Sequence, residues 1–151
     1  MSWAAPGVLT RRPPRGPAEA GELLVRQHRV IGSPGYPRDD GRLRRLGELM
    51  YARGGFDPAA RARQAAAMMA CRDARPGLAQ LSIPTVILHG QQDPLIRPAG
   101  GRAVAAAMPN AELVLLPGMR HDLPKPLWPT IIGHICAVTD RAWPPDVLRQ
   151  C

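Results

Sequence analysis

Two short apolar runs constrain this chain more than any other feature. The first, Val86 to Leu88, is entered through Pro84 and closed by Gly90; the second is "AELVLLPG" at 111–118. Both are too short for a buried helix and carry no polar alternation. They read as strands covered on both faces, as in a parallel sheet. Between them "PAGGRAVAAAMPN" reads as a helix, and "PLWPTIIGHICAVTD" follows as another, expected to bury Leu127, Ile131, Ile132 and Ile135. Two parallel strands cannot be joined by a tight turn, so the order strand, helix, strand, helix predicts an α/β unit with a right-handed crossover.

Upstream the pattern is helical. "EAGELLVRQHRVI" at 19–31 spaces Leu23, Leu24, Gln27, Val30 and Ile31 along one face. "GSPGYPRDDG" breaks the chain, with Ser33 ahead of Pro34. "RLRRLGELMYAR" predicts a second helix with Leu43, Leu46, Leu49 and Met50 on its buried face. "FDPAARARQAAAMMACR" predicts a third, with Asp57 as N-cap, Pro58 in the first turn, and Met68 and Met69 on a packing surface. These readings divide the chain into a flexible arm at 1–18, a helical segment at 19–79, an α/β segment at 80–138 and a polar tail at 139–151.

Composition removes several function classes. No run approaches the ~20 apolar residues of a membrane helix, and the start lacks a signal-peptide core. A cytoplasmic protein without membrane contact is the expectation. Cys71, Cys136 and Cys151 show neither CxxC spacing nor a disulfide framework and read as reduced thiols without a role. The net charge is +8, and residues 1–75 hold 14 basic and 7 acidic side chains. No aromatic residues interleave with the arginines as a nucleic-acid surface requires, so nucleic acid is not the expected partner.

The chemistry sits at the strand ends. In open α/β sheets, functional groups lie in loops beyond the carboxyl ends of strands. After "VILHG" comes "QQDPL", with Asp93; after "LVLLPG" comes "MRHDLP", with His121. Parallel neighbouring strands place both loops on one edge. An Asp that accepts the Nδ1–H of a His fixes its tautomer and leaves Nε2 as a general base. Taken singly, Asp before Pro is a turn-former and a loop His is a solvated side chain. Taken together, acid then His and each just past a strand, they form a candidate catalytic pair.

The stretch "IPTVILHGQQDPLIRPAGGRAVAAAMPNAELVLLPGMRHDLP" resembles the C-terminal part of the α/β-hydrolase family, with "HG..DP", "PNAEL" and "GxxH" in order. "SPGYPRDDGRLRRL" and "FDPAARARQAAAMMACRDARPGLAQL" resemble the helical cap of the branch that includes aclacinomycin methylesterases. The resemblance implies a partial α/β-hydrolase fold, a helical cap followed by the last two parallel strands and their helices. It implies Asp93 as triad acid and His121 as triad base, acting on a small-molecule ester with neither a metal nor a cofactor. It makes His89 and Gly90 structural and gives Asp122 a local hydrogen bond within its loop.

The triad order is nucleophile, acid, His, with the nucleophile in G-x-S-x-G. No G-x-S-x-G occurs in these 151 residues. In "IGSPG", Ile31 stands where a Gly is required, and Pro34 disfavours the helical turn after Ser33. Ser2 and Ser82 lie in no elbow. The expectation is a hydrolase chain without its nucleophile half and inactive alone. A Ser or an Asp nucleophile remains open. The alternative is a non-catalytic fragment whose uncovered sheet edge docks on a partner chain or a second copy.

Overall fold

The computed structural model describes residues 12–70 and 73–142. Most of the arm expected at 1–18, Cys71, Cys151 and the tail beyond 142 lie outside them. Helix α1 spans Pro17–Ile31, α2 Asp40–Ala52, α3 Pro58–Ala70 and α4 Arg75–Leu78. Strand β1 spans Thr85–Gly90, α5 Pro98–Ala107 and β2 Ala111–Leu116. A 3-10 turn, Lys125–Leu127, leads into α6, Trp128–Ala142. Helix α1 starts two residues earlier than expected because Pro17 suits the first turn. Helix α6 runs past the expected boundary at 138.

The caps are local chemistry. Asp57 accepts the amides of Ala59 and Ala60 at 2.9 and 3.1 Å, as its position before Pro58 implied. Asp39 does the same for α2, accepting from Arg42 at 2.8 Å. The short helix α4 was not anticipated; Asp73 accepts the Arg75 amide at its start. The Arg75 guanidinium, bonded to the same carboxyl, holds Asp73 down at about 2.

Helices α1 and α2 pack as a pair, and their contact differs from the expected one. Leu46 and Leu49 are exposed, while Gly47 is buried. A Cβ on Gly47 would stand 2.5 Å from the Ala20 carbonyl oxygen and 2.7 Å from the Gly21 Cα. Small residues on both helices, Gly47 against Ala20 and Gly21, let the backbones approach. Gly47→Ala is therefore expected to destabilise the chain. The helix-propensity gain of about 1 kcal/mol is smaller than the roughly 2–3 kcal/mol of overpacking against backbone. An unchanged or raised urea midpoint would contradict this.

The sheet has two strands, parallel, with Thr85 opposite Ala111 and Gly90 opposite Leu116. Helix α5 packs on both strands and α6 on β1. Leu116, Met119 and Ile131 form a small core with Tyr36, Leu88, Val114 and Leu127 around it. The strands were expected to be buried on both faces; Thr85 to His89 are only half-buried. Two strands and two helices do not supply enough neighbours to cover the sheet. For the same reason Ile132 and Ile135 are 55% and 49% exposed, although the sequence pattern had them buried. Helix α3 buries none of its residues, and Met69 is 89% exposed, so its expected packing surface is open.

Candidate active site

The register of the sheet decides where the loops meet. Because Gly90 and Leu116 are level, both chains leave the sheet at the same edge. Their loops are laced by backbone bonds, Gln91 N–H to the Leu116 carbonyl at 3.1 Å and Gln92 N–H to the Met119 carbonyl at 3.0 Å. The lacing is possible because residue 90 has no side chain. A Cβ there would stand 2.2 Å from the Arg120 carbonyl oxygen.

Asp93 sits in the first loop and is 8% exposed. Its Oδ1 accepts the amides of Leu95 at 2.8 Å and Ile96 at 3.0 Å. Pro94 has no amide to compete, so the turn fixes the carboxylate plane. That leaves Oδ2, which lies 2.7 Å from His121 Nδ1. A carboxylate only accepts, so Nδ1 carries the proton of this bond. The His121 side chain is 39% exposed, and among the described residues its Nε2 has no hydrogen-bond partner. The imidazole is thus held on its inner nitrogen and open on its outer one.

His89 is the other imidazole close to Asp93, with Nε2 4.0 Å from Oδ2. Its Nε2 instead donates to the Ile96 carbonyl at 2.8 Å, which assigns it to support of the acid loop. Beside the pair is an open cleft of about 340 Å³ with Leu88, Ile96, Met119 and Leu123 in its walls. Among the described residues no group of three or more His, Cys, Asp or Glu is placed to hold a metal ion.

Asp122 departs from the expectation of a local bond. Its Oδ1 accepts from the Ser33 hydroxyl, 89 residues away. Ser33 Oγ also accepts the Arg120 amide at 2.8 Å. The hydroxyl is committed to Asp122 and Arg120 rather than to His121, in keeping with its lack of a nucleophile-elbow context. Nothing local in "GSPG" or "MRHDLP" signals this contact, because it exists only once the α1–α2 loop lies on the His loop.

Residues 56–125, which contain both loops, match the family of serine aminopeptidases, S33. The matched segment runs from the start of α3 through Asp93 and His121 to Lys125. The structure is also similar to that of an esterase, RhEst1, from Rhodococcus sp. ECU1013, with a TM-score of 0.61 and 19% sequence identity. The likeness covers 90% of this chain and 46% of the esterase, so the chain spans about half the length of that protein. The architecture is that of a partial α/β-hydrolase fold, as the sequence implied. No helix among the described residues is long and apolar enough to cross a membrane.

Proposed function

We propose that this chain supplies the acid and the base of a carboxylic-ester hydrolase. The 2.7 Å contact of Asp93 Oδ2 with His121 Nδ1 carries the reading. In it, Asp93 holds the Nδ1–H tautomer, and Nε2 takes the proton of a nucleophilic hydroxyl brought within about 3 Å. The imidazolium formed is stabilised by the carboxylate and returns its proton to the leaving alkoxide. An open cleft with apolar walls at Leu88, Ile96, Met119 and Leu123 and polar groups at Arg120 and Asp122 is suited to an ester of small size. The structural likeness to an esterase favours an ester substrate, and the serine-peptidase description of the matched family favours Ser over Asp as nucleophile.

The nucleophile and the oxyanion hole come, in this reading, from sequence other than these 151 residues. The half-buried β1 and the exposed Ile132 and Ile135 favour a partner segment that covers the sheet and α6. A nucleophile-bearing segment of hydrolase sequence is the occupant that also completes the chemistry.

The test is stopped-flow hydrolysis of a p-nitrophenyl ester. The isolated chain is expected to show no acyl-enzyme burst and a rate no higher than that of free imidazole. Loss of an oxyanion donor alone costs about 10²–10³ in rate, and loss of the nucleophile costs more. Co-expression with a nucleophile-bearing α/β-hydrolase half is expected to restore a burst that His121→Ala removes. A stoichiometric burst from the isolated chain, abolished by His121→Ala, would show that a nucleophile is present and overturn the reading.

A further inference from the structure

The end of α1 and the loop after it grip the His loop residue by residue. The Ile31 carbonyl accepts the His121 amide at 3.0 Å. The Val30 carbonyl accepts from Arg120 Nη1 at 3.1 Å. These are carbonyls of the last turn of a helix, which have no partner within it. Ser33 Oγ accepts the Arg120 amide and donates to Asp122 Oδ1. The Tyr36 hydroxyl donates to the Pro117 carbonyl at 2.9 Å. Arg120, His121 and Asp122 are therefore each fixed by residues 30–33, about ninety positions earlier in the chain.

We infer that Ser33 and Asp122 are positioning residues for His121. This rests on the proposed role of His121 as base. The ring of His121 is fixed by Asp93 from the acid loop, and its backbone is fixed by the Ile31 carbonyl at the end of α1. The residue on each side of His121 bonds the same hydroxyl, so Ser33 works as a clasp across the peptide that carries the imidazole. Ser33 is 8% exposed and uses its hydroxyl as both donor and acceptor. Removing the hydroxyl leaves a half-buried carboxylate and an amide without this partner, and the loop gains freedom where the ring is attached. Neither residue touches the reacting atoms; both act through the position of His121.

The test is nitrogen–proton NMR of the imidazoles in the full chain, at mildly alkaline pH where neutral rings predominate. The wild type is expected to show His121 as a single Nδ1–H tautomer. Ser33→Ala and Asp122→Ala are expected to give a mixture with the Nε2–H form, and about tenfold faster amide exchange at Arg120 and His121. Asp122→Asn, whose side-chain carbonyl still accepts from Ser33, is expected to keep the wild-type signature. That rescue separates positioning from general stability, and the Asn and Ala variants of Asp122 decide the matter if Ser33→Ala does not fold. An unchanged tautomer and unchanged exchange in Asp122→Ala would overturn the inference. Asp93→Asn serves as the control for the underlying reading. If it leaves the His121 tautomer unaltered, the acid–base pair itself is wrong and the inference falls with it. If it alters the tautomer while Ser33→Ala and Asp122→Ala do not, only the inference falls.

Discussion

If the proposed pairing with a nucleophile-bearing segment holds, replacing Asp93 with Asn is expected to lower kcat of that assembly about 10⁴-fold, with little change in fold. The reason lies in the two amides that Asp93 already holds. Leu95 N–H and Ile96 N–H donate to Oδ1. An Asn at 93 must place its carbonyl oxygen there, since an NH₂ group cannot accept. Its NH₂ then faces His121 Nδ1 in place of Oδ2. Nδ1 becomes an acceptor, the proton moves to Nε2, and the outer nitrogen can no longer take a proton from a hydroxyl. The carboxamide is nearly isosteric, so the turn persists and the loss falls on the chemistry. Steady-state kinetics with a p-nitrophenyl ester, alongside circular dichroism, measures it. A loss of less than about tenfold would mean that Nε2 of His121 is not the base.

Gly90→Ala carries the largest expected effect on stability. An added Cβ would meet the Arg120 carbonyl oxygen at 2.2 Å and the Met119 carbonyl oxygen at 2.7 Å. Both are backbone atoms, so no side-chain rotation relieves the contact. Relief requires the His loop to move off the end of β1, which breaks the bond from Gln92 N–H to the Met119 carbonyl. A cost of roughly 3 kcal/mol or more is expected, read as a lowered urea midpoint. The Asp93–His121 contact should be lost in the same variant, because the displaced loop carries the imidazole. An unaltered midpoint would show that the two loops are not held as closely as this geometry has them.

Much of the architecture was legible because it follows from local pattern. Asp57 before Pro58 announced the start of α3, and the uninterrupted apolar runs at 86–88 and 113–116 announced strands too short for helices. Asp93 and His121 were legible for a related reason. Parallel strands with level ends leave little choice about where their loops meet, so two motifs 28 residues apart fall together once the strand order is known. The buried faces were less legible. Leu46, Leu49, Ile132 and Ile135 stand at helical spacing that signals burial, yet they are exposed. Spacing reports which side of a helix is apolar. It does not report whether another element is present to cover that side.

By itself, the sequence determined the order of elements, the parallel sheet and the placing of Asp93 and His121 in loops at one sheet edge, since periodicity, turn residues and strand-end position are properties of neighbouring residues. Only the tertiary structure decided which helix faces are buried, why residue 90 must be Gly, and that Ser33 clasps Asp122 and the Arg120 amide. Each of these depends on an approach between segments distant in the chain. The spacing of Gly47 from Ala20, of Gly90 from the Arg120 carbonyl, and of Ser33 from Asp122 is set by how the backbones pack, and no local pattern of residues encodes it.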